Sequence, residues 1–409
     1  MYLDIITPNQ FDQFVQTVNE ASFEQTSQMM GLLTDRGYQT YALALFDQNH
    51  QIQVAAILFG QAVAGGLRME IHYGPIYNDR SFLKDFLIEL KDFAKKQAVI
   101  ELEIKPYDTY QRFNDQGQAT SEEDLELLDI FQAAGFQYGG LTSGFETSDW
   151  HYIKDLSGLT PTNLLKSFSK KGRPLVKKAH TFGITLRALQ REELAIFQDI
   201  VDRTSDRRGY AAKNLEYYQF FYDRFAENCE FMVASLNFSN YLSNLKADQE
   251  KLAKQIQNLQ DDLVINPNST KKQNQLRELS SQFETFTVRQ TEAQELIEQY
   301  GQEDVILAGS LFVYKPQESV YLFSGSYTEF NKFYAPALLQ EYVMLESLKR
   351  GITRYNLLGF SGDFSGKDGI LRFKQNFNGH VERKPGSFYY YPKPLKYKAI
   401  QFMKKVLNR

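Results

Sequence analysis

The sequence predicts a mixed-sheet α/β protein carrying a long inserted helical hairpin. Three observations point there: short apolar or alternating runs bounded by polar turns, stretches of helical spacing between them, and two heptad seams within residues 239–300.

Residues Tyr38 to Leu45 and Ile52 to Phe59 read as adjacent strands, joined by the polar turn Asp47-Gln48-Asn49-His50. Gly74-Pro75 marks a break, Ser81 to Lys96 has the apolar spacing of a helix, and Val99 to Ile104 alternates apolar with acidic residues as a strand does. The order recurs later. Glu230 to Leu236, Val305 to Tyr314 and Ser319 to Ser324 read as strands, Tyr334 to Arg350 as a helix and Thr353 to Leu358 as a further strand. Two similar halves follow, 1–153 and 154–238 continued by 301–392, with 393–409 as a basic C-terminal helix.

The segment 239–300 interrupts the second half. In its first limb Leu245, Leu252 and Leu259 recur every seven residues, with Ile256 and Leu263 interleaved. In the second, Leu276, Phe283, Gln290 and Ile297 form one row, and Leu279, Phe286, Ala293 and Tyr300 the other. Between them lies Asn266-Pro267-Asn268-Ser269-Thr270, where proline stops one helix and Ser269 or Thr270 caps the next. The limbs therefore fold back antiparallel. At ~1.5 Å per residue a limb of about 25 residues reaches roughly 35 to 40 Å, more than a domain needs for its own core, so the arm suits a large partner. A protein–protein coiled coil and a nucleic-acid grip are both open at this point.

A chain of 409 residues holds two or three domains, and 14% aromatics supply ample burial. The single Cys229 excludes an internal disulfide and any multi-cysteine metal site. Met1-Tyr2-Leu3-Asp4 lacks the charged and apolar regions of a signal peptide, and no run approaches the ~18 apolar residues of a membrane span, so a soluble cytoplasmic protein is expected. A net charge of −4 provides no global positive field. Anionic partners must meet local patches, of which there are two. One holds Lys166, Lys170, Lys171, Arg173, Lys177 and Lys178 without an intervening acid; the other is the tail from Lys393 to Arg409. Each reads either as solvated surface or as a contact for phosphate or anionic lipid.

Several chemical motifs fail on spacing. Gly362-Asp363-Phe364-Ser365-Gly366-Lys367-Asp368 imitates a phosphate-binding loop but is one residue short, and Asp368 replaces the magnesium-binding hydroxyl. Gly359-Phe360-Ser361-Gly362 brings its second glycine one place early for a nucleophile elbow. His50, His72, His151, His180 and His380 show no metal-ligand spacing, no coenzyme A signature is present, and no cofactor or metal is called for. What remains is Asp368 to Gly379, preceded by a glycine-rich loop. Its Arg372, Lys374 and backbone N–H groups suit an anion or a developing oxyanion, or else form a turn followed by a strand with solvated cations.

Taken in order along the chain, several segments resemble the Fem family of peptidoglycan-bridge aminoacyltransferases, and within it the MurN type most closely. They are Ser22-Phe23-Glu24-Gln25-Thr26, Gly74-Pro75-Ile76-Tyr77, Lys105-Pro106-Tyr107-Asp108-Thr109-Tyr110-Gln111 and Leu165-Lys166-Ser167-Phe168-Ser169-Lys170-Lys171-Gly172. Thr204-Ser205-Asp206-Arg207-Arg208-Gly209-Tyr210, the hairpin, Phe323-Ser324-Gly325-Ser326 and Leu371-Arg372-Phe373-Lys374-Gln375-Asn376-Phe377 complete the series. The resemblance spans nearly the whole chain.

It implies two acetyltransferase-like (GNAT-type) subdomains, a tRNA-binding arm, and transfer of an amino acid, alanine in the MurN type, from aminoacyl-tRNA to an already branched lipid II at the inner membrane surface. It places Phe373 and Lys374 in the active site. Thr204, Ser205, Arg207 and Tyr210 are carried over as muropeptide-binding residues, with Arg372 beside the catalytic pair. Lys166 to Lys178, with Lys271 and Lys272 on the arm, become candidate tRNA contacts. Two places depart from the family pattern. Met29 and Leu33 stand where relatives have tryptophan and lysine, leaving Arg36 as the nearest cation; Lys105-Pro106 replaces an Asp-Pro, leaving Asp108 as the nearest acid. A transferase adding the first branch residue and a non-catalytic scaffold are the alternatives.

Overall fold

The computed structural model describes residues 1–144, 149–209 and 211–406, with side chains through Lys404. Two mixed sheets, eight strands each among the described residues, form the body. The first runs, edge to edge, Tyr2–Ile5, Gln39–Phe46, Ile52–Val63, Gly66–His72, Val99–Lys105, Phe388–Tyr390 and Gln137–Tyr138, with Ile76–Tyr77 paired beside Ile52–Val63. The predicted hairpin is present, in a register that sets Leu43 opposite Ala56 and Leu45 opposite Val54. The helix Leu83–Lys96 buries Leu83, Phe86, Leu87, Leu90 and Ala94 against this sheet, the stripe its apolar spacing demands.

The second sheet runs Thr185–Ala188, Cys229–Asn237, Asp304–Tyr314, Ser319–Ser326, Arg354–Phe360, Trp150–Asp155, His380–Arg383 and Gln111–Phe113. The sheets thus exchange strands across the expected division at 153/154. Gln111–Phe113 and Trp150–Asp155 join the second sheet, while Phe388–Tyr390 inserts between Val99–Lys105 and Gln137–Tyr138 in the first. The closing helix Pro394–Val406 then returns to the first sheet and buries Ile400 over Gly65.

Among the described residues each sheet contains one parallel pair, and the two pairs differ. Gly66–His72 and Val99–Lys105 stay in register from Arg68↔Glu101 to His72↔Lys105, after one irregularity between Leu67 and Arg68. Ser319–Ser326 and Arg354–Phe360 share only Ser319↔Tyr355 and Val320↔Asn356 before they diverge.

The arm consists of the helices Phe238–Ile265 and Thr270–Tyr300, of 28 and 31 residues, and so extends roughly 40 Å. It is antiparallel: Gln249 Nε2 donates to Thr287 Oγ1 at 2.8 Å and Lys272 pairs with Asp262 at 2.8 Å near the tip. Leu245, Leu252 and Ala293 are buried, whereas Leu259, Leu276 and Phe283 are half-buried, because two helices alone cover only one side of each seam. The arm leaves and re-enters between neighbouring strands, and Asn237 Nδ2 donates to the Gln302 carbonyl at 2.8 Å to close its base.

Beneath the diverging strands lies a buried charge cluster joining both halves. Arg354 Nη2 reaches Glu382 at 2.6 Å and Arg354 Nε reaches Glu318 at 3.3 Å; Lys384 lies 3.3 Å from Glu382 and donates to the Tyr107 carbonyl at 2.8 Å. Burial alone would raise the Glu382 carboxyl, but the Lys384 charge, a His380 hydrogen bond and Arg354 outweigh it and hold the group well below its ordinary range. Removing one partner strands the others in a dry interior. Glu382→Gln should therefore cost about 3–5 kcal/mol in urea unfolding, and adding Lys384→Met should recover part of that loss.

Candidate active site

A cavity of about 760 Å³ opens where the parallel strands diverge. One wall is Tyr321 to Ser326, another Leu357 to Gly359; the C-terminal turn of the helix Leu194–Arg208 and the helix Gly369–Lys374 close it, with Phe23, Glu24 and Tyr73 contributed by the first half.

The divergence has a local cause. Asn356 Oδ1 accepts the Leu358 N–H at 2.8 Å, and Leu358 adopts φ 55°, a left-handed conformation costly for a branched side chain. The ladder with Trp150–Asp155 shifts register between Asn356 and Gly359. The Leu358 and Gly359 carbonyls are taken up by Lys374, whose Nζ donates to them at 2.8 and 2.5 Å.

Lys374 reaches this point because residues 369–374 form a short helix, not the strand that one reading of the sequence offered. Asp368 caps it, accepting the Ile370 and Leu371 N–H groups through Oδ1 at 2.7 and 3.2 Å, while its Oδ2 accepts from the Ser361 N–H and hydroxyl. The residue that ruled out a magnesium-binding loop is thus the cap that starts the helix. Ile370, Phe373 and Lys374 share the cavity face. Lys374 is buried, and burial draws its pKa down to about 7; Asp368 opposes the shift and Arg208 adds to it. Two glycines allow the walls to close in: a Cβ at Gly172 would collide with the Asn376 carbonyl, and one at Gly325 with the Ile200 carbonyl.

The remaining sequence-predicted residues divide. Thr204 lines the cavity, its Oγ1 donating to the Ile200 carbonyl at 3.2 Å and accepting the Ser326 N–H at 3.3 Å; Arg207 lines it as well. Ser205 turns away and donates to the Asp202 carbonyl at 2.8 Å, outside the lining. Tyr210 lies outside the described residues. Arg36 is exposed, stacked near Tyr38 and Tyr217 at 5.5 and 5.4 Å, close enough to Lys213 on the cavity wall to lower that amine's pKa after burial has done so first. Arg372 is exposed on the opposite flank of its helix and outside the lining. Asp108 is also outside it: Tyr77 donates to its carboxylate and Arg80 lies 3.3 Å away, tying it into an ion-pair cluster with Asp124.

Lys166, Lys170, Lys171, Arg173, Lys177 and Lys178 are all exposed on Leu164–Ser167, Gly172–His180 and the turn between them. That face adjoins the cavity, because Leu175 lines it and Lys178 sits 5.4 Å from the ring of Tyr334, another lining residue. Lys271 is exposed at the arm tip, whereas Lys272 is engaged by Asp262. The site also contains residues the sequence did not single out: Arg208, Lys213, Glu24 and Tyr73. Arg208 and Glu24 sit inside segments that carried the resemblance; Tyr73 and Lys213 had no signal. Among the described residues, no three His, Cys, Asp or Glu side chains converge as metal ligands do.

This architecture and site define a known class: the family model described as the FemAB family matches residues 6–405, and the chain belongs to that family. Individual relatives narrow the comparison. Aminoacyltransferase FemA of Staphylococcus aureus strain MRSA252 is 27% identical over 99% of this chain and 98% of its own length, and the same protein from strain bovine RF122 / ET3-1 matches to the same extent. The crystal structure of FemX shares the fold with a TM-score of 0.78 at 21% identity, covering 98% of this chain and 100% of that one.

The poise of Lys374 gives a pH signature. Its ordinary value is 10.5 and its folded value about 7, so between these the unfolded chain holds a proton that the folded chain does not. Stability contributed by this difference is present above 10.5 and lost as pH falls through 7. Lys374→Met lacks the term, so its melting temperature relative to the parent should be higher at pH 6 than at pH 9.

Proposed function

We propose that this protein is a cytoplasmic acyltransferase that moves an amino acid from aminoacyl-tRNA onto the branched stem peptide of a peptidoglycan precursor, adding alanine as the second bridge residue on lipid II. The observation that carries the reading is the cavity lining: Lys374, Arg207, Arg208 and Lys213 supply positive charge, and among the described residues no His or Cys lines it. A site without an imidazole–nucleophile pair suits a substrate that is already activated. An aminoacyl ester is such a substrate, because an amine attacks its carbonyl directly. The new N–C bond forms, the ester C–O bond to the ribose breaks, the amine gives up a proton and the ribose oxygen gains one. Bringing two large substrates together supplies ~7 to 11 kcal/mol of the barrier reduction.

Charged Lys374 has one N–H beyond the two given to Leu358 and Gly359, and that N–H is available to the developing oxyanion. Phe373 packs at 5.4 Å from Phe377 and fixes the apolar floor beside it. Thr204 and Arg207 hold the acceptor, and the basic face from Lys166 to Lys178 meets the carrier's phosphates, with Lys271 extending the contact along the arm. Donor loss at an oxyanion site is worth roughly 10²–10³ in rate. Lys374→Ala should lower transfer by about that factor, read by mass spectrometry of lipid II products, while tRNA affinity stays within about threefold and keeps its steep salt dependence.

The helix Pro394–Val406 supports a peripheral seat on anionic lipid. It docks through Ile400 and leaves Leu395, Phe402 and Met403 exposed beside Lys396, Lys398 and Lys404, with no acid in the segment, and no described helix is long and apolar enough to cross a membrane. Leu395→Ser with Phe402→Ser should reduce co-sedimentation with vesicles containing phosphatidylglycerol and leave the low binding to neutral vesicles unchanged.

A further inference from the structure

Facing the four cations of the large cavity is one carboxylate: among the described residues, Glu24 is the only acid in the lining. Glu24 also walls a second cavity of about 450 Å³, and the two cavities share just Glu24 and Tyr73. The charge of this second chamber is different. Its cations each face a carboxylate: Arg68 at 2.8 Å from Glu103, His72 Nε2 at 2.8 Å from Glu70, and Lys105 at 2.8 Å from Asp149. With Glu24 added, its acids outnumber its cations, so it holds no surplus positive charge for an anion. His72 Nδ1 lies 3.3 Å from Glu24 Oε2 and fixes the carboxylate at the junction.

Two joined chambers of opposite sign suit an anionic carrier and the cationic amine end of an acceptor whose remainder Thr204 and Arg207 hold. A nucleic-acid carrier is drawn to the cationic side and repelled from the acidic one, while an amine nucleophile arrives from water as an ammonium and is drawn the other way. We propose that Glu24 binds the ammonium of the acceptor amine, and that the second cavity receives the amine-bearing arm of the acceptor. The inference rests on the acyl-transfer reading above and deepens it by naming how the acceptor is recognised.

The test compares the full-length protein with Glu24→Gln and Glu24→Asp. Two probes are titrated by NMR: Nα-acetyl-Nε-alanyl-lysine methylamide, whose branch alanine carries one ammonium, and its Nε-propionyl isostere, which carries none. Losing a charged hydrogen-bond partner should weaken the alanyl probe roughly 10- to 100-fold in Glu24→Gln, with the propionyl probe unchanged. Glu24→Asp should keep most of the affinity. In transfer assays, the KM for the acceptor should rise in Glu24→Gln while that for aminoacyl-tRNA holds. Unaltered alanyl-probe binding in Glu24→Gln, or a loss shared by the propionyl probe, overturns the proposal. The two readings fail separately: if no charged carrier yields product, the transfer reading falls, while the amine titration still decides the role of Glu24.

Discussion

The structure turns on the early parting of two parallel strands. Ser319–Ser326 and Arg354–Phe360 hold register only at their starts, and the bulge at Leu358, fixed by Asn356, forbids them to continue. Backbone polar groups in a closed interior must find partners, so the freed Leu358 and Gly359 carbonyls oblige a donor to come to them. Lys374 is that donor. Its burial, lowered pKa and place at the cavity follow from one break in a ladder. The same strand anchors the polar layer beneath, since Asn356 Nδ2 also donates to the Tyr107 hydroxyl at 2.9 Å and Arg354 binds Glu318 and Glu382.

In the first sheet the irregularity falls at the start of the parallel pair, between Leu67 and Arg68, and the strands then run on together. That pair stays closed to His72, and the sheet's charged outer face is laced by Arg68, Glu70, Glu101 and Glu103. Two halves of similar element order thus do different work: one offers an apolar, cation-lined chamber, the other an ionic surface that meets that chamber at Glu24 and Tyr73. Gly172 and Gly325 matter here because chain packing sets the chamber's width, and a methyl group at either would push a wall outward.

Much of the fold was legible because periodicity is local. Heptads at Leu245, Leu252 and Leu259 reported the arm, and the Ser81 to Lys96 spacing reported the helix that covers the first sheet. The exchanged strands Gln111–Phe113 and Phe388–Tyr390 were not visible, being too short to carry a pattern. The site was partly legible. Lys374, Phe373, Thr204 and Arg207 came through resemblance and do face one cavity. Arg372 did not, for a geometric reason. In a strand, alternate residues such as Arg372 and Lys374 share a face, but in the helix that forms, Ile370, Phe373 and Lys374 do, and Arg372 is turned out. Asp108 lies outside the cavity and is held by Tyr77 and Arg80, contacts that local spacing does not show. Glu24, Tyr73 and Lys213 meet only because distant segments converge, which no local pattern records.

The interleaving of Phe388–Tyr390 into the first sheet bears on how the molecule is made. Among the described residues, Val99–Lys105 and Gln137–Tyr138 are joined only through this late segment, and its Phe388 stacks at 4.0 Å on Phe131 in the core of the amino-terminal half. While the ribosome is still translating, that core has a slot with no occupant. The nascent amino-terminal half must therefore wait, with an apolar gap and unpaired strand edges, until Phe388–Tyr390 has been made.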